Sequence, residues 1–262
     1  MPILRTIKVT EYITPLREGG SLPAIVRADD NELYAMKFIG AGQGRQALIA
    51  ELIGGEIARR LGFNMPEIVL MDFDPAIGRA EPDPEIQDLL LASEGVNLGL
   101  KFLEHASAYS NLSPPPASAE FASRLVWMDA YLTNVDRMAK NVNMLVYQDD
   151  IWLIDHGACL YFHHNWQDHI KQAETPFSLI KSHVLIGSST TLGEADTFAK
   201  SKLNKEIITS IVTEVPGSWL LEGVPFETPQ AHRDAYVEYL MHRLTHSANF
   251  VEEAKRSHAA LV

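Results

Sequence analysis

The sequence predicts an α+β protein, with a β-rich amino half and a mostly helical carboxyl half. Three observations carry that reading. Short apolar runs separated by turn residues fill the first third of the chain. Beyond a proline cluster at Pro114-Pro115-Pro116, apolar residues recur at helical spacing. A composition of 46% hydrophobic and 21% charged residues over 262 positions supplies a core without the help of staples.

The elements follow in order. Residues 4–13 (LRTIKVTEYI) alternate in character, as a half-buried strand does. Runs at 22–28 and 32–39 flank Asp29-Asp30-Asn31, which reads as a hairpin turn. The glycines of 40–44 break the second run. Leu48, Ile49, Leu52, Ile53, Ile57 and Leu61 then fall on one helical face, and Gly62 stops the helix. Residues 67–73 (EIVLMDF) predict a strand, 78–85 (GRAEPDPE) a surface loop, and 100–106 a short crossing segment. Phe121, Leu125, Met128 and Leu132 mark the next helix. Two short strands at 143–147 and 151–154 flank the turn Gln148-Asp149-Asp150. Helical patterns return at 205–214 and at 230–254, the latter opening with Thr228-Pro229, a cap followed by a first-turn proline. The expected division is an amino-terminal unit at 1–103 and a carboxyl-terminal unit at 104–262.

Composition narrows the function classes. Twenty-two Lys and Arg against 34 Asp and Glu leave a net charge of −12, which disfavours a nucleic-acid partner. The single Cys159 excludes a disulfide framework and a multi-cysteine zinc site. No run approaches the roughly 20 apolar residues that span a bilayer, and the amino terminus lacks the apolar region of a signal peptide. A soluble, cytoplasmic protein with no membrane partner is expected.

The chemistry concentrates in Asp136-Arg137-Met138-Ala139-Lys140-Asn141 and, beyond the predicted hairpin, Ile154-Asp155-His156-Gly157. Asn141 precedes the first strand and Asp155 follows the second, with residue 148 of the turn midway between them. Folding the hairpin therefore brings both to its open end, where opposed residues lie about 4.5–5.5 Å apart. Two oxygen-bearing side chains at that spacing can share Mg2+, which takes few protein oxygens and leaves room for phosphates. Asp136, on the loop entering this site, offers a carboxylate to take a proton from an attacking hydroxyl. Read alone, Asp136 would equally serve as a helix cap or as a partner of Arg137 or Lys140, and Asp155 as a turn residue.

An Asp, four residues, an Asn, and then a hairpin ending in Asp-x-Gly resemble the catalytic arrangement of the protein-kinase-like superfamily. The string DRMAKN and the segment WLIDHGACLYFHHNW are similar to HipA-like kinases, a branch close to the phosphoinositide kinases. The resemblance implies a two-lobed kinase fold, with Asp136 as catalytic base and Asn141 and Asp155 as Mg2+ ligands. It further implies that Lys37, in the strand Tyr34-Ala35-Met36-Lys37-Phe38, holds the α- and β-phosphates of ATP. A lysine on an apolar strand needs a counter-ion, and Glu51 is the natural one, with Glu56 as the alternative. The turn containing Gly19, Gly20 and Ser21 would be the phosphate flap. Leu100 to Glu104 would be the hinge beside adenine, with Phe102, Leu103 and Glu104 at the nucleotide.

The implied activity is ATP- and Mg2+-dependent transfer of the γ-phosphoryl group to a hydroxyl acceptor, a Ser/Thr of a protein first. A small-molecule kinase on the same fold, or a non-catalytic nucleotide- or partner-binding module, is the alternative. The chain is shorter than full-length HipA-type toxins, so their substrate recognition does not carry over. His156 stands where protein kinases have the aromatic residue of Asp-Phe-Gly, so switching by that residue does not carry over either. His156, His163, His164 and His169 fit no zinc motif and read as packing and surface groups. Trp127, Tyr131 and Trp152 read as core residues, and Cys159 as a small buried one.

Overall fold

The computed structural model describes residues 4–16 and 22–261. Strand β1 (Arg5–Pro15) pairs antiparallel with β2 (Ala24–Ala28), and β2 pairs antiparallel with β3 (Leu33–Lys37). The turn between β2 and β3 uses Asn31 at φ 64°, a left-handed conformation that asparagine tolerates. Helix α1 (Gly44–Arg60) follows, then β4 (Ile68–Phe73), helix α2 (Pro84–Leu91) and β5 (Gly95–Lys101). Strand β5 lies between β3 and β4, antiparallel to both, and β4 closes against β1 in parallel from Arg5↔Val69 to Lys8↔Asp72. The five strands form a closed barrel in the order β1-β2-β3-β5-β4.

The two-residue period of the strands sorts their side chains. Ile7, Val9, Val26, Tyr34, Met36, Val69, Met71 and Phe73 fill the barrel interior together with Phe38. On β3 the alternation that sends Tyr34 and Met36 inward puts Lys37 on the opposite face. Helix α1 is buried at every position from Leu48 to Ala58. It belongs to a second, larger core that also contains Ile68, Leu98 and Leu100 and most of the apolar residues of the carboxyl half. No residue of α1 between those limits faces water, so its two glutamates there must be paired.

Phe102 to Ala106 lead from β5 into β6 (Ser107–Ala108), the edge of a three-stranded sheet completed by β7 (Met144–Tyr147) and β8 (Asp150–Leu153). Between β6 and β7 lies α3 (Ala119–Tyr131), capped by the Ser118 hydroxyl, which accepts from Phe121 N–H at 3.1 Å. The β7–β8 turn consists of Gln148 and Asp149 at φ 52° and 63°, the two positive values of a twist-matched two-residue hairpin. The chain then runs through short 3-10 turns and α4 (His169–Ala173), α5 (Leu192–Lys202), α6 (Lys205–Thr213), α7 (Pro229–Thr245) and α8 (Ala248–Ala259). Among the described residues no helix is long and apolar enough to cross a membrane.

Three expectations need correction. The stretch 78–85 is not all loop: α2 begins at Pro84, with Asp83 accepting from Glu85 N–H, a cap and first-turn proline visible in the sequence but outweighed by its polar composition. The crossing segment at 100–106 begins inside β5, which runs back to Gly95 through a glycine-containing stretch with no clean alternation. The helical pattern at 230–254 is two helices, broken at His246-Ser247 between the end of α7 and the start of α8. Apolar spacing alone does not reveal so short a break.

Candidate active site

Lys37 leaves β3 on the face toward α1, and its Nζ lies 2.6 Å from Glu51 Oε2 and 2.7 Å from Asp155 Oδ1. The Glu51 side chain is fully buried, that of Lys37 is 11% exposed and that of Asp155 is 43% exposed. The backbone N–H of His156 donates to the same Glu51 oxygen at 2.8 Å. Burial alone would raise the Glu51 carboxyl, but the Lys37 ammonium, together with the His156 bond, overrides it and holds the group down at about 2. For Lys37, burial opposes the charge and the two carboxylates more than restore it, so its ammonium is held above its usual range. Lys37 and Glu51 are therefore both ionised at neutral pH. Glu56, the alternative counter-ion, lies a turn further along α1 and pairs with Arg59 at 3.2 Å.

Asp155 sits just past β8 at φ 56°, in the left-handed region, and turns the chain so that His156 points back under α1. Gly54 of α1 makes room for it: a Cβ at that position would lie 2.8 Å from His156 Cβ. The close approach brings α1, and with it Glu51, down onto the Asp155 turn.

Asp136 and Asn141 form the second half of the site. Asn141 Nδ2 donates to Asp136 Oδ2 at 2.7 Å, and Asp136 N–H donates to Asn134 Oδ1 at 3.1 Å. Reciprocal backbone hydrogen bonds between Met138 and Asn141, at 3.0 and 2.9 Å, close the loop between them. The expectation that Asn141 and Asp155 oppose each other directly is corrected by the register. Met144 pairs with Leu153, and Ile154 N–H donates to the Asn143 carbonyl, so the hairpin is centred between Gln148 and Asp149 and not on Gln148. Asn141 and Asp155 both lie at the open end, one committed to Asp136 and the other to Lys37.

Behind this surface lies a buried polar network that the sequence reading did not identify. Arg137, next to Asp136, turns inward and is 2% exposed. Its Nε donates to Asp129 Oδ2 at 2.6 Å, its Nη1 to the Asn143 carbonyl, and its Nη2 lies 3.2 Å from His156 Nε2. The guanidinium has no lone pair, so the His156 nitrogen accepts. Asp129, on α3, also takes Asn134 Nδ2 at 2.9 Å and pairs with His183 Nε2 at 2.9 Å. Burial works against the Asp129 charge, but Arg137 and the His183 bond hold its carboxyl far below the usual range. One signal was available in the sequence: an aspartate inside the apolar helical run FASRLVWMDAYL has to be paired or capped.

Gly19, Gly20 and Ser21 lie outside the described residues. Phe102, Leu103 and Glu104 form the link after β5, with Phe102 N–H donating to the Leu33 carbonyl at 2.8 Å. Trp127 and Tyr131 are buried in the core, whereas Trp152 is half-buried. Cys159 is buried, and burial pushes its thiol well up, which makes it a poor nucleophile.

A family model described as HipA-like kinase matches residues 9–253. Among solved structures, the chain is similar to the crystal structure of a Helicobacter pylori proinflammatory kinase, CtkA, with a TM-score of 0.60 and 13% sequence identity over 99% of both chains. At that identity the likeness concerns the fold. No curated protein matches the chain.

Proposed function

We propose that this chain, which belongs to the HipA-like kinase family, transfers the γ-phosphoryl group of ATP to a hydroxyl group, a Ser or Thr of a protein, with Mg2+. The carrying observation is Lys37, whose Nζ joins Glu51, 14 residues away, to Asp155, 118 residues away. A buried lysine shared between two carboxylates from separate elements suits a site that must hold polyphosphate beside a cation. The reading takes the barrel (1–103) as one lobe and the helical part (104–262) as the other, with the nucleotide between them.

The donor set fits Mg2+, which prefers oxygen. Asp155 offers a partly exposed carboxylate, and Asn141, whose amide nitrogen is taken by Asp136, is left with its carbonyl oxygen. These two residues would hold the ion. Bound there, Mg2+ would neutralise charge on the phosphates as the γ-group transfers.

The other roles belong to the chain's own residues. Lys37 binds the phosphates, and Glu51 keeps its ammonium aimed at them. Asp136, oriented by Asn141 and by its own N–H bond to Asn134, takes the acceptor's hydroxyl proton. The acceptor oxygen bonds to γ-phosphorus, the bond to the β-bridging oxygen breaks, and ADP leaves. Phe102, Leu103 and Glu104 would line the adenine end, and Gly19, Gly20 and Ser21 would cover the phosphates.

The test is incubation of the purified protein with γ-labelled ATP, Mg2+ and cell lysate, beside Asp136→Ala. Acid-stable label on a lysate protein, present with wild type and absent with the variant, is the expected result. Label on a small molecule would move the acceptor to a metabolite. Failure of the wild-type protein to bind Mg2+-ATP would overturn the reading.

A further inference from the structure

Glu174, His242 and His246 cluster on the carboxyl half and share no residue with the Lys37–Asp155 site. A ligand atom from each lies within 4.8 Å of the others. His242 is in the last turn of α7, and His246, four residues on, caps the same helix, so the two imidazoles share one face. Their rings stack with centroids 4.3 Å apart. Glu174 caps α4, and its Oε1 is 2.8 Å from His242 Nε2.

We propose that Glu174, His242 and His246 form a Zn2+ site that staples the end of α4 to the end of α7. Two imidazoles and one carboxylate, with no thiolate, suit Zn2+ far better than Mg2+, and leave a fourth position for water. Zn2+ bonds of about 2.0–2.2 Å in tetrahedral geometry need ligand atoms roughly 3.3 Å apart. A cluster already confined within 4.8 Å reaches that spacing by side-chain adjustment. The ion takes the place of the proton between His242 Nε2 and Glu174 Oε1.

The surroundings orient these groups as the outer shell of a metal site does. His246 Nδ1 lies 2.9 Å from the His242 carbonyl, which can only accept. In the neutral ring the proton is then on Nδ1, which leaves the lone pair on Nε2. The backbone of Glu174 is clamped from both sides. The buried Arg243 donates to the carbonyls of Ala173 and Thr175 at 3.0 and 3.1 Å, and Asn249 Nδ2 donates to that of Glu174 at 2.8 Å. Three consecutive carbonyls are thus held by side chains of α7 and α8, which fixes the backbone that carries the carboxylate beside the histidines. His242 also lines an open depression with Glu238 and Thr245, which gives an ion a path from solvent. A chain of net charge −12 favours its approach.

The test is calorimetric titration of the full-length protein with ZnCl2 in excess Mg2+, beside His246→Gln and Glu174→Gln, with circular dichroism to confirm that both variants are folded. A single Zn2+ per wild-type chain is expected, with affinity weakened by roughly tenfold or more in each variant. Zn2+ should raise the melting temperature of the wild type and leave that of His246→Gln unmoved. No Zn2+ binding by the wild type, or equal binding by both folded variants, would overturn the proposal.

Discussion

Replacing Arg137 by Met tests the buried network behind the Asp136 loop. The Arg137 and Asp129 side chains are both 0% exposed, and their closest atoms are 2.6 Å apart. The substitution keeps most of the side-chain volume and removes the charge, so Asp129 is left as a buried carboxylate with only Asn134 and His183 beside it. The Asn143 carbonyl and His156 Nε2 lose their donor as well. Breaking a buried pair from one side costs about 3–5 kcal/mol. The two bonds that survive on Asp129 place this case near the lower figure, about 3 kcal/mol. For a chain of this length that corresponds to a fall in melting temperature of about 6–12 °C. Urea unfolding followed by tryptophan fluorescence, with calorimetry alongside, measures it. Asp129→Leu and the double variant complete a thermodynamic cycle, and the double variant is expected to lose less than the sum of the singles, because neither charge is then stranded. A loss below about 1 kcal/mol for Arg137→Met, or strict additivity in the cycle, would refute the account of this network.

Three further outcomes are expected. Gly54→Ala should destabilise the protein and depress phosphoryl transfer, because the new Cβ would lie 2.8 Å from His156 Cβ and push α1 and Glu51 away from Lys37. Helix propensity alone favours Ala here by about 1 kcal/mol, so a stabilised variant would show that the close approach has no consequence. Acid should weaken the fold through Glu51: its carboxyl is held at about 2 in the folded protein against 4.5 ordinarily, so its contribution is complete above pH 4.5 and is lost as pH falls toward 2. Urea unfolding at neutral pH and near pH 3 should show that loss in the wild type and less of it in Glu51→Gln. In nucleotide binding and turnover, Asp155→Ala should weaken Mg2+-ATP binding, whereas Asp136→Ala should bind it normally and fail to turn over; identical behaviour of the two variants would contradict the division of roles.

The legible parts were those written in local pattern. The strand Tyr34-Ala35-Met36-Lys37-Phe38 read as apolar with one lysine in need of a counter-ion, and in the structure β3 carries that lysine on the face opposite Tyr34 and Met36. Apolar spacing located α1 and so made Glu51 available to Lys37, although the sequence left Glu56 as a competitor until the structure showed Glu51 at Lys37 and Glu56 at Arg59. Turn residues found both hairpins, with the β7–β8 register displaced by half a residue. By contrast, the parallel closure of β4 on β1 joins residues 64 apart, and no local signal announces it.

What the sequence determined by itself was the kind of element at most positions and a set of candidate groups, Lys37, Glu51, Asp136, Asn141 and Asp155, to which the proposed function assigns the phosphate chemistry. Periodicity and turn chemistry act over a few residues, so they are written in a few residues. Only the tertiary structure decided that Asp155 meets Lys37, that His156 is received by Gly54, and that Arg137 turns away from solvent to join Asp129 and His156. Those contacts are made because a buried charge must find a partner wherever the packed chain brings one, and no spacing in the sequence says which partner that will be.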